Sequence, residues 1–85
     1  MSQDEEILAA IGKRAAEQSA RFPAGFPYDR NGVRLGIASL QDEVRELYLE
    51  WEANKRTLNL AADRVRHELL DIAGIVVLML RNVPE

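Results

Sequence analysis

Cysteine is absent from the 85 residues. That excludes a disulfide scaffold, a cysteine-ligated zinc site and thiol catalysis, and it suits a reducing cytoplasm. Histidine occurs once, as His67, so no His-x-x-x-His metal pair exists. Positive charge is in deficit: 11 Lys and Arg stand against 14 Asp and Glu, a net charge of −3. A chain of that balance lacks the electrostatic footprint of a DNA- or RNA-binding protein, and no nucleic-acid partner is expected. Long apolar runs are missing. The longest, residues 72–80, has nine residues, whereas a membrane-spanning helix takes about 20. Gln3, Asp4, Glu5 and Glu6 make the start acidic and polar, unlike a secretory signal. The expected location is cytoplasmic, with no membrane partner. There is no glycine-rich phosphate loop and no Ser/His/Asp set.

Proline is sparse, and two of the three, Pro23 and Pro27, fall together in a stretch that also holds Gly25, Gly32 and Gly36. Residues 22–33 are therefore expected to form a loop, within a single domain spanning 1–85. Everything else has helical spacing, and the one β-branched run, Ile75-Val76-Val77, lies inside a helical period. The fold class expected is all-α, a short bundle of three main helices over about 3–21, 34–55 and 60–82.

The first helix starts on Ser2, with Glu5 at capping-box spacing, and carries a thin stripe through Ile7, Ile11 and Ala15. The second repeats Ile37, Leu40, Val44, Leu47, Tyr48 and Trp51 at three- and four-residue steps, which places Trp51 in the core. Thr57 or Asn59 supplies the N-cap of the third, and Pro84 follows its end. Gly74 within it marks a close approach of another helix. Residues 72–80 are apolar on nearly every face, and such a helix must be covered all round. Two other short helices do not suffice, so burial in a homodimer or homotetramer interface is expected.

The acids are placed beside these stripes. Glu43, Glu46 and Glu50 form a row next to the apolar row of the second helix; Glu68 and Asp71, three apart, do the same on the third. Two such pairs on antiparallel helices converge, and four carboxylates in one pocket repel unless a cation neutralises them. Mg²⁺, a hard cation that favours carboxylates together with substrate phosphate, fits that need, with Mn²⁺ as a substitute. The bland reading is a solvated face. Arg45 three after Asp42, and Arg64 four before Glu68, have the spacing of surface ion-pair ladders.

The flanking sequence favours the metal. Leu40-Gln41-Asp42-Glu43-Val44-Arg45-Glu46-Leu47 resembles the leading motif of the MazG-like, all-α nucleoside triphosphate pyrophosphohydrolases, and Glu68-Leu69-Leu70-Asp71-Ile72-Ala73 resembles its second half. Phe22-Pro23 and Phe26-Pro27-Tyr28-Asp29 look like the proline-and-aromatic loop that precedes the acidic helix in that family. Asp42 stands where the family usually has Glu. The resemblance covers most of the chain, roughly 22–80. It implies that Glu43, Glu46, Glu68 and Asp71 are metal ligands and catalytic residues. It implies Mg²⁺-dependent cleavage of a nucleoside triphosphate to the monophosphate and pyrophosphate, in a house-cleaning or nucleotide-pool role. Asp42 or Glu50 would be the outer base.

The family's further helix, which carries basic and amide residues for the phosphates, has no counterpart in the 14 residues after Asp71. Lys55 and Arg56, in the turn between the acidic helices, are candidate phosphate contacts, as are Lys13 and Arg14. Tyr28 in the loop is a candidate for stacking on the base. His67 either orients a carboxylate ligand or is a half-exposed surface histidine. The competing expectation is a non-catalytic helical dimerisation or interaction module, in which the acids are a charged face. Nucleotide binding without turnover is the third.

Overall fold

The computed structural model describes residues 2–54 and 62–85. They form three helices, α1 (Gln3–Arg21), α2 (Arg30–Asn54) and α3 (Ala62–Leu80), with no strand among the described residues. The chain is an all-α short bundle. The bounds expected for α1 agree residue for residue. The expected end of α2 at Lys55, the start of α3 at Leu60 and its caps Thr57 and Asn59 lie outside the described residues.

Ser2 opens α1 by accepting a hydrogen bond from the Glu5 N–H at 3.2 Å. The Glu5 carboxylate accepts in turn from the Ser2 hydroxyl at 3.3 Å. Three acids in the first turn and Arg21 in the last complement the helix dipole. Helix α2 begins at Arg30, four residues before the expected Arg34. The Asp29 carboxylate caps the helix by accepting from the Gly32 N–H at 2.7 Å, so the glycines at 32 and 36 are absorbed into its first turns. Helix α3 ends at Leu80, and Asn82 donates from its side chain to the Phe26 carbonyl at 2.9 Å, tying that end to the loop.

Helix α3 is central. Both α1 and α2 pack on it, and among the described residues no Cα of α1 comes within 8 Å of a Cα of α2. The close approach expected at Gly74 is present: a Cβ there would stand 3.3 Å from Arg14 Cγ and 3.4 Å from the Ala15 nitrogen, both on α1. Gly32 is tighter still. A Cβ at that position would fall 1.9 Å from the Pro27 carbonyl oxygen, so only glycine lets the loop fold back on α2. The buried apolar set among the described residues is small: Ala15, Phe26, Ile75 and Leu78, with Phe22, Leu40, Val77 and Met79 packed around it.

The expected core stripe of α2 is corrected by the structure. Its inward face carries Gly32, Gly36 and Glu43, while Ile37, Val44, Tyr48 and Trp51 are exposed. Trp51 is 46% exposed and leans on Tyr48, with ring centroids 5.8 Å apart, instead of filling the core. The reason is rotational. The acid row and the apolar row are neighbours on one helix, and α3 takes the acid row. Among the described residues, no helix is long and apolar enough to cross a membrane.

Candidate metal centre

Helix α2 lowers Glu43 into its contact with α3, where the residue is only 7% exposed. From the other side α3 presents Glu68 and Asp71, one turn apart. One carboxylate oxygen from each of Glu43, Glu68 and Asp71 lies within 4.8 Å of the other two. Glu46, a turn beyond Glu43, is exposed, and its charge opposes those of Glu43 and Glu68. Of the four acids singled out in the sequence, Glu43, Glu68 and Asp71 form the compact group, and Glu46 is near enough for its charge to act on Glu43 and Glu68.

The electrostatics of the group are uneven. Burial pushes the Glu43 carboxyl up from its ordinary value of 4.5 to about 7, and the charges of Glu46, Asp71 and Glu68 push in the same direction. Glu68 is raised by burial, by its hydrogen bond with Glu46 and by the charges of Glu46 and Asp71, with His67 opposing. Asp71 is served from α1. Arg14 makes an ion pair with its Oδ1, and the Gln18 amide donates to its backbone carbonyl at 3.1 Å. His67 Nε2 stands 3.3 Å from Asp71 Oδ2, and Arg14 Nη2 reaches His67 Nδ1 at 3.2 Å. The two roles considered for His67 thus coincide: it is more than half exposed and it touches a carboxylate of the group. Glu43 Oε2 and Glu68 Oε2, by contrast, are buried with no hydrogen-bond partner.

Gln18 is a member of this site that the sequence reading did not single out for it. Its amide is buried at the α1–α3 contact and holds Asp71. The signal was present, a glutamine on the thin apolar stripe of α1, where a buried amide needs a polar partner. Its partner, 53 residues away, was not readable.

The remaining candidates are placed elsewhere. Arg64 pairs with Glu50 across the α2–α3 contact at 3.5 Å, not with Glu68 four residues along its own helix. Asp42 is exposed. Tyr28 lines a groove of about 510 Å³ with Arg30, Val33, Arg34 and Ile37 at the start of α2. From there to Glu43 is about 20 Å at 1.5 Å per helical residue, so the structure does not bring Tyr28 to the acids. Lys55 and Arg56 lie outside the described residues. Lys13 is exposed, and Arg14 is the candidate phosphate contact that reaches the group.

The sequence matches no protein-family model, and comparison with curated proteins and with solved structures gives no match.

The donor set fits a hard divalent cation. It is all carboxylate oxygen, drawn together within 4.8 Å, and Glu43 and Glu68 each also have an Oε2 that is buried with no hydrogen-bond partner. Arg14 pairs with Asp71, and His67 lies against Asp71 and opposes the shift of Glu68, so Glu43 is the acid of the group with no cation named against it.

Proposed function

We propose that this protein is a Mg²⁺-dependent nucleoside triphosphate pyrophosphohydrolase of MazG-like type, with Mn²⁺ able to substitute. It would cleave between the α and β phosphates to give a nucleoside monophosphate and pyrophosphate, as a cytoplasmic house-cleaning enzyme working as a homodimer or homotetramer. The observation that carries this reading is the trio Glu43, Glu68 and Asp71 converging within 4.8 Å while Glu43 Oε2 and Glu68 Oε2 are buried without partners. A solvated acidic face has neither property.

Glu43, Glu46, Glu68 and Asp71 would hold the ion. A divalent cation in such a cradle supplies a more acidic water and neutralises charge on the transferring phosphate. The rest is done by the chain itself. Arg14 from α1 and His67 from α3 hold the Asp71 carboxylate, and the Gln18 amide of α1 donates to the Asp71 backbone carbonyl. Arg14 also brings positive charge to the edge where phosphate oxygens would lie. Of the two outer bases, Glu50 is engaged by Arg64 and by the Asn54 amide, and Asp42 is exposed.

Pyrophosphate release across canonical and modified nucleoside triphosphates, with Mg²⁺ or Mn²⁺, tests this. The expected result is turnover of at least one nucleotide that a chelator abolishes. Glu43→Gln and Asp71→Asn should each lower it by at least about 100-fold, the upper end of what loss of a supporting residue costs. Activity untouched by both substitutions would remove the ligand assignment. The second reading, a non-catalytic dimerisation module, is favoured by one observation, the exposed apolar face of α2. Absence of turnover on every nucleotide by a folded, associated protein would establish it.

A further inference from the structure

We propose that the outward apolar face of α2 is the seam of a symmetric dimer, with α2 packed antiparallel on α2 of a second copy and crossing near Leu40 and Val44. This rests on the oligomeric part of the function proposed above and on none of its metal chemistry.

The spacing is that of a helix-pairing seam. Val33, Ile37, Leu40, Val44, Leu47 and Trp51 follow one another in alternating steps of four and three, the a and d positions of a heptad. A lone amphipathic helix points such a row inward. Here α3 occupies the acid row, so Ile37, Val44 and Trp51, one from each heptad, are each about half exposed. Two grooves run along the row. One, of about 500 Å³, is lined by α2 alone; the next, of about 390 Å³, shares Val44 and Tyr48 with it and is bordered by Val65 of α3.

The area is sufficient. The chain exposes 6443 Å², where a compact monomer of 9.6 kDa exposes about 5,100 Å². Its radius of gyration is 14.3 Å, against about 12 Å for a compact domain of this length. The surplus of about 1,300 Å² exceeds the roughly 800 Å² that each partner buries in a standard interface. A core of four buried apolar side chains among the described residues leaves the chain in need of that burial.

Charge selects the partner and its direction. The first half of α2 carries Arg30 and Arg34 and no acid; in the second half, where Glu43 is buried against α3 and Glu50 is paired with Arg64, the exposed charges are Asp42, Glu46 and Glu52 against Arg45. Side by side in parallel, two copies would set like charge on like. Antiparallel, the basic half of each lies on the acidic half of the other, the helix dipoles oppose, and Arg34 comes beside Glu52 of the second copy.

Because the chain has no cysteine, single introduced thiols report the geometry. In the antiparallel dimer position 34 of one copy meets position 52 of the other. Equal positions stand about 25 Å apart or more at 1.5 Å per residue. Arg34→Cys and Glu52→Cys chains, treated with a short bismaleimide, should cross-link when mixed and not when alone. Light scattering should return at least twice 9.6 kDa for the wild type and 9.6 kDa for Val44→Glu. Self-cross-linking of either single variant would overturn the antiparallel arrangement. A wild-type mass of 9.6 kDa with no cross-link in the mixture would overturn the dimer. A Val44→Glu protein that stays associated would overturn the seam. If Val44→Glu does not fold, the cross-linking arms decide. Loss of the proposed catalysis would alter none of these readouts, and monomeric behaviour would leave the metal chemistry to its own test.

Discussion

Glu43 is a carboxylic acid kept from water and set among three others, and its titration follows from that. Its folded value is about 7 against an ordinary 4.5. The folded chain therefore holds this proton more tightly than the unfolded one. Stability from this group is fullest below about 4.5 and is lost as pH rises through about 7. In chelator, the thermal midpoint followed by circular dichroism should fall between about pH 5 and 7.5. In Glu43→Gln, whose amide does not titrate, that fall should flatten. A slope unchanged by the substitution would mean that Glu43 does not carry the burden of the cluster. Asp71, equally buried, is held by Arg14, His67 and the Gln18 amide.

At the scale of the elements, glycine decides two contacts in opposite ways. Gly32 lies in α2 where a methyl would strike the Pro27 carbonyl oxygen, while a methyl on Gly12 in α1 would have nothing within 4 Å. Gly32→Ala must shift the loop or the helix and should cost about 2 kcal/mol or more. Gly12→Ala meets open space and should gain about 0.5–1 kcal/mol from helix propensity alone. Urea midpoints of the two variants check both signs. Helix α2 shows the wider lesson. Its heptad row was legible, and a hydrophobic row is ordinarily the inward one. The inference that Trp51 belongs to the core followed that rule and failed, because a second row beside it, of glycines and Glu43, lets α3 come closer.

At the scale of the whole molecule, α3 lies between two helices whose Cα atoms stay more than 8 Å apart among the described residues, and the principal extents are 43 × 33 × 22 Å. A slab of that shape offers a polar contact where α2 meets α3 and an apolar face outside it. A divalent cation bound at the former stabilises the folded state by mass action, by about 2.7 kcal/mol at a hundred times its dissociation constant. Millimolar Mg²⁺ or Mn²⁺ should therefore raise the melting temperature at about pH 7.5, and Na⁺ at equal ionic strength should not. The rise should vanish in Asp71→Asn. It should shrink as pH falls below about 7, where the Glu43 carboxyl keeps its proton.

Sequence alone determined the local features, since they depend on neighbours within a few residues. The helical period, the Ser2 cap, the break at Pro23 and Pro27 and the pairing of acids three apart are all of that kind. Spacing also placed Glu43, Glu46 and Glu50 on one helix face and Glu68 and Asp71 on another, while the choice of Glu43, Glu46, Glu68 and Asp71 as a set came from the family resemblance. Tertiary structure decided the rotation of α2 about its own axis, and with it which of two adjacent rows is buried. It decided too that Arg14 and Gln18, more than fifty residues away, complete the surroundings of Asp71. A helix with two candidate faces has no local preference between them; only the surface it meets breaks the tie.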